Sequence, residues 1–146
     1  MTALKHKAAS AAIGTLALVC GTLIMGPVQS ASAANCRSWG TTDTAADIKG
    51  AYTHGEGCTL DSGRVQIDVT IEDTKGDGMG ACAQLHATYA DGGTRDEWVY
   101  VAGAGNTLDK TFTYASSVRN IWVREGLGNS GTCTEMAGGT HKVWPK

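Results

Sequence analysis

The stretch that decides the fold is R64-VQIDVTIEDTKGDGMGACAQLHAT-Y89. Val65, Ile67, Val69 and Ile71 alternate with Gln66, Asp68, Thr70 and Glu72, a period of two that sets four β-branched apolar side chains on one face of a strand and four polar ones on the other. Asp73 to Gly80 then breaks the pattern with three glycines, and Ala81 to Tyr89 resumes it with Ala83, Leu85, Ala87 and Tyr89 on one side. Two such runs around a Gly/Asp-rich connection read as a β-hairpin with a long turn.

Downstream the same grammar repeats. Arg95 to Ala102 places Trp98, Tyr100 and Ala102 opposite Arg95, Glu97, Val99 and Val101. Leu108 to Tyr114, Val118 to Glu125, Thr132 to Met136 and His141 to Trp144 are further strands, separated by turn signals at Asp91-Gly92-Gly93, Gly103 to Asn106, Ser116-Ser117, Gly126 to Gly131 and Gly138-Gly139. Short strands with turns at this spacing, and no sustained helical period, predict an all-β chain: a small antiparallel β-sandwich or barrel. The expected core is Val65, Ile67, Val69, Ile71, Leu85, Ala87, Val99, Val101, Phe112, Ile121 and Val123.

Ahead of this domain, residues 1–33 read as a secretory signal peptide. Lys5, His6 and Lys7 form a positive start, Ala8 to Met25 is uncharged and mostly apolar, Gly26-Pro27 ends the run, and Ala31-Ser32-Ala33 is a small-residue cleavage site. A membrane anchor is the rival, on a run near the lower length for spanning. A lipoprotein anchor at Cys20 is disfavoured by Val19, where a small residue is needed. Cleavage before Ala34 removes two of twelve Lys and Arg, leaving ten against fourteen Asp and Glu, a net charge of −4. That balance argues against nucleic acid and anionic membrane as partners.

Four cysteines remain after the signal: Cys36, Cys58, Cys82 and Cys133. An even number in a short exported chain reads as two disulfides. Three connectivities are open, and Cys36–Cys58 with Cys82–Cys133 is favoured, one closing the N-terminal region and one tying the centre to the last strands. No C-x-x-C or H-x-x-x-H spacing supports a metal site. Residues 34–60 hold Trp39, Tyr52, His54 and Glu56 among Gly, Thr and Asp, and read as an irregular arm carrying a disulfide, with one helical turn over Thr44 to Lys49. Residues 61–146 form the β-domain.

No catalytic set stands out. The histidines after the signal are His54, His86 and His141; no G-x-S-x-G turn is present, and a triad needs a nucleophile beside a histidine with an acid behind it. His86 lies on a polar strand face with Gln84 and Thr88, where an exposed surface histidine outweighs a catalytic base. Asp73, Asp77 and Gly78 fit part of a calcium loop, but Lys75 occupies a ligand position, so the segment reads as a tight turn with Asp73 and Asp77 bonding local backbone. Adjacent acids such as Glu72-Asp73 or Asp96-Glu97 point to opposite faces and cannot flank one glycosidic bond. The aromatics carry more information. Trp98, Tyr100 and Trp122 fall opposite the core face, where planar rings suit a sugar- or protein-binding surface, or a second buried face. Trp39 is the candidate anchor of the arm.

The signal ending in Ala-Ser-Ala, the four cysteines, the run Ile71-Glu72-Asp73-Thr74-Lys75-Gly76-Asp77-Gly78 before a cysteine-bearing strand, and the run Val118 to Glu125 before Cys133 resemble small secreted actinobacterial β-sandwich proteins. In size and class the chain is also similar to the disulfide-bonded adaptor of umbrella toxin particles, which joins a lectin-like subunit to a large scaffold. The resemblance implies an extracellular compartment and a β-sandwich, and carries over no binding residue. The expected function is a secreted, non-enzymatic, cofactor-free module that joins other secreted proteins. A hydrolase inhibitor using the loops Gly103 to Thr107 or Gly126 to Thr132 is one alternative, and a carbohydrate-binding module using Trp98, Tyr100 and Trp122 is the other.

Overall fold

The computed structural model describes residues 35–44 and 47–145; the expected signal peptide lies outside them. The described residues form nine strands and no helix: β1 (Asn35–Gly40), β2 (Ala51–Thr59), β3 (Val65–Asp73), β4 (Gly80–Tyr89), β5 (Thr94–Val101), β6 (Thr107–Tyr114), β7 (Val118–Asn129), β8 (Thr132–Met136) and β9 (His141–Trp144). They build two antiparallel sheets. One has the order β1-β2-β3-β6; the other runs β5-β4-β7-β8, with β9 also pairing β7. No helix of the described residues is long and apolar enough to cross a membrane.

The period-two runs dictate the layering. Val65, Ile67, Val69 and Ile71 of β3 face Ala81, Ala83, Leu85 and Ala87 of β4 and Ile121 and Val123 of β7, all buried in one cluster between the sheets. Val99 joins them; Val101 and Phe112 are only partly buried and pack at the margin. Burial of these side chains is the main stabilising term, roughly 1.5–3 kcal/mol for each large aliphatic one.

Three expectations are corrected. First, β3 and β4 are not a hairpin: β3 pairs β2 and β6, and β4 pairs β5 and β7. Both strands bury a continuous apolar face, and two such faces satisfy each other best across a core, so the connection Thr74–Met79 passes between layers. Asp73 fixes that crossing. Its carboxylate accepts Lys75 N–H at 3.2 Å and Gly103 N–H at 2.8 Å, while its backbone exchanges bonds with Gly105 and Asn106. Asp77 accepts Met79 N–H at 3.0 Å and pairs with Lys75 at 2.9 Å, the local side-chain-to-backbone pattern expected of this turn.

Second, residues 34–60 are not an irregular arm. Within them β1 and β2 are full members of the first sheet, in register from Asn35↔Thr59 to Gly40↔His54. Alternation is hidden in β2 because Gly55 and Gly57 occupy inward positions; Trp39, paired with Gly55, packs against it and is 5% exposed, while Ile67 and Trp144 lie over Gly57. Of the expected helical turn over Thr44 to Lys49, Ala45 and Ala46 lie outside the described residues; Asp47 N–H bonds the Thr44 carbonyl at 3.1 Å.

Third, Gly126 to Gly131 is mostly strand. β7 continues to Asn129, and the turn is only Ser130-Gly131, both at positive φ (53° and 82°), the two-residue hairpin geometry whose twist matches its strands. The second inhibitory loop considered above is therefore strand and tight hairpin.

The favoured disulfides are both present. Cys36–Cys58 joins directly opposed residues of β1 and β2, Cα atoms 4.0 Å apart. Cys82–Cys133 links β4 to β8 across the intervening β7, Cα atoms 6.0 Å apart. It crosses at Gly126, where a Cβ would stand 3.0 Å from the Cys82 sulfur. With separations of 22 and 51 residues, chain-entropy stabilisation is about 3 and about 4 kcal/mol. Two such bridges are consistent with an oxidising, extracellular environment.

Candidate functional site

The outer faces of the two sheets differ. On the first, Gln66, Asp68 and Thr70 of β3 stand beside Asp109, Thr111 and Thr113 of β6. Thr70 donates to Asp109 at 2.6 Å, Thr111 to Asp68 at 2.6 Å, and the Gln66 amide to Asp68 at 3.1 Å. Its carboxylates are already served by neighbouring hydroxyls, the pattern of a solvated sheet face.

The outer face of the second sheet gathers the aromatics. Cross-strand register sets three rows: Tyr100–Cys82–Gly126, Trp98–Gln84–Arg124 and Asp96–His86–Trp122–Lys142. Trp98 is 51% exposed, the one exposed large apolar side chain among the described residues. Trp122 is half-buried, with Lys142 Nζ 5.7 Å from its ring centre. Trp98 and Trp122 stand two strands and one pair-step apart, about 10 Å across and about 7 Å along the sheet. Phasing of β5 and β7 by alternation is borne out, and this face is open to solvent rather than a second core.

A polar chain threads the rings. Asp96 lies 2.7 Å from His86 Nδ1 and accepts the Gln84 amide at 3.1 Å, and Arg124 donates to the Gln84 carbonyl at 3.1 Å. Two shallow depressions flank it. One of about 400 Å³ is lined by Gln84, His86, Trp122, Val123, Arg124 and Thr140. The other, of about 330 Å³, is lined by Trp98, Val99, Tyr100, Gly131, Thr132 and Cys133. The Asp96–His86 pair is the base-and-orienter half of a triad, but among the described residues no hydroxyl or thiol hydrogen-bonds His86.

Of the four expected binding aromatics, the structure brings Trp98, Tyr100 and Trp122 to one face and sends Trp39 elsewhere. Trp39 lies in the core on the other sheet, its indole N–H without a partner, so it is not an exposed anchor. Gln84, Asp96, Arg124 and Lys142 were not foreseen as members of the site. Their signal was the register: Gln84, Asp96 and Lys142 are cross-strand neighbours of Trp98, His86 and Trp122, and Arg124 is the neighbour of Gln84 in the Trp98 row. The remaining grouping with metal-ligand proximity, Cys36, Glu56 and Cys58, has both sulfurs in a disulfide and offers no thiolate.

A second polar cluster is buried. Glu125 of β7 faces inward at 0% exposure, and burial pushes its carboxyl up to about 7, against the Thr41 hydroxyl, which pulls it down. Geometry agrees. Thr41 Oγ1 accepts Thr53 N–H at 3.0 Å and stands 2.9 Å from the Thr53 carbonyl and 2.5 Å from Glu125 Oε1. The Thr41 hydroxyl has one proton and two acceptors within reach, the Thr53 carbonyl and Glu125 Oε1. Nearby, His141 Nε2 lies 2.7 Å from Asp47. Burial pushes the Asp47 carboxyl up, but hydrogen bonds from His141 and Thr42 more than offset this and leave it below its usual range.

No family model matches the chain, nor does a curated protein or a solved structure.

Proposed function

We propose that this chain is a secreted, non-catalytic binding module that joins other secreted proteins, and that it does so through the outer face of the β5-β4-β7-β9 sheet. The carrying observation is Trp98, 51% exposed beside Tyr100 on a rigid sheet, one row from Trp122. An exposed indole offers a large apolar area for a partner to cover, and buried tryptophans are prominent among the residues that carry binding energy in interface centres. The hydrogen-bonded Asp96–His86 and Gln84–Arg124 groups around the rings supply a polar rim. Trp39 is not the anchor of a binding arm: β1 is a strand of the first sheet and Trp39 is a core residue, so a deletion of Asn35 to Ala51 that abolished binding would report unfolding. An adaptor role in an extracellular assembly of the umbrella-toxin type is the form of this reading that the resemblance suggests.

The test is affinity capture with the tagged exported protein from native culture supernatant, then reconstitution with the purified partner. Trp98→Ala is expected to weaken the reconstituted complex by about 2 kcal/mol, roughly thirtyfold in Kd, with the melting curve unchanged. Retention on polysaccharide with no protein partner, abolished by Trp98→Ala or Trp122→Ala, assigns the same face to carbohydrate and overturns the protein reading.

A further inference from the structure

Resting on that reading, we infer that the depression beside Trp122 receives the carboxylate of an acidic side chain in an extended peptide segment of the partner protein. The charges point there. Arg124 of β7 lines this depression, Lys142 of β9 stands over the ring of Trp122, which also lines it, and among the described residues no ion pair involves either cation. The acid closest in the row, Asp96, is committed to His86 and Gln84 on the far side. Arg124 spends one terminal nitrogen on the Gln84 carbonyl, and its Nε is buried with no acceptor. A guanidinium held at one corner with donors unmet is preorganised for a carboxylate, which can take two parallel N–H bonds.

A peptide carboxylate fits better than an acidic sugar. Lys142 sits over one face of the Trp122 ring, which places a cation where a stacking sugar would lie. The indole then supplies apolar contact for the stem of an acidic side chain or its neighbour. The outer face of the first sheet is acidic, at Asp68, Glu72 and Asp109, so the two faces of the molecule are electrically distinct and only this one attracts an anionic segment.

The test uses isotope-labelled, disulfide-intact protein titrated with three probes: a capped Gly-Glu-Phe-Glu-Gly peptide, its Gln-for-Glu counterpart, and digalacturonate. The Glu peptide is expected to shift the signals of Gln84, His86, Trp122 and Arg124, and to bind about tenfold tighter than the Gln peptide. Added salt should narrow that difference. Arg124→Gln should bring the Glu peptide down to the level of the Gln peptide while the spectrum stays dispersed; Lys142→Gln, at an exposed position, should lose part of the preference even if Arg124→Gln fails to fold. Equal binding of the two peptides, shifts confined to another surface, or tighter binding of digalacturonate overturns the inference. Where the preference is absent and Trp98→Ala still abolishes partner binding, this inference fails and the proposed function stands.

Discussion

Glu125 is where one side chain's chemistry reaches the whole fold. Its carboxyl is held near 7 in the folded chain, against an ordinary value of 4.5, so the folded state keeps a proton that the unfolded state releases. Stability is therefore full below the unfolded value, falls as pH rises between about 4.5 and about 7, and levels off above; the loss is on the order of 3 kcal/mol. Urea unfolding of wild type and Glu125→Gln across this range checks it: the variant, a neutral mimic that keeps the Thr41 contact, should lack this slope. Tyr114 gives the opposite experiment. Its hydroxyl is fully buried without a partner, so Tyr114→Phe removes an unmet polar group and should leave stability unchanged or raise it by about 1 kcal/mol. Neither residue was legible in the sequence. Glu125 and Tyr114 each lie on an alternating run whose parity was clear, but what closes over such a residue is decided by distant chain: Thr41 over Glu125, and Arg95, 5.1 Å from the ring, over Tyr114.

At the scale of elements, period-two alternation identified every strand from β3 onward and phased β5 and β7 so that Trp98 and Trp122 faced outward, because a side chain's face follows from parity alone. Pairing was less legible. The hairpin assumed between β3 and β4 is a crossover, since alternation says which face is apolar but not which strand lies beside it. β2 escaped because Gly55 and Gly57 stand at inward positions, β1 because Asn35 and Arg37 share the inward parity of Trp39, and the end of β7 because Gly126 and Gly128 look like turn residues. Those two glycines are there for close approach. A Cβ at Gly126 would stand 2.4 Å from the Glu135 carbonyl oxygen and 2.6 Å from the Met136 sulfur. Gly126→Ala should therefore push β8 from β7 and cost about 2–3 kcal/mol, read by thermal unfolding, with earlier hydrogen exchange in β8. Gly92→Ala is not the matching control, since its φ of 85° imposes strain of its own; Gly138→Ala, with open space around its Cβ position, is, and should be near neutral.

For the molecule as a whole, two layers with different outer faces follow from the sequence once the crossing between β3 and β4 is known. One face satisfies its own carboxylates with threonines; the other leaves an indole, a guanidinium and an ammonium for something else to cover. The aromatic face was readable as a candidate because Trp98, Tyr100 and Trp122 share parity, while Trp39 was misplaced because an aromatic in an apparently irregular segment carries no parity. The measurement that tests the central claim most directly is hydroxyl-radical footprinting of the native protein alone and bound to its captured, purified partner. The account predicts that Trp98, Tyr100 and Trp122 react in the free chain and are protected in the complex, while Trp39 is silent in both and the β3–β6 face keeps its reactivity. Protection on the β3–β6 face or along β1, with Trp98 as reactive as before, would contradict it.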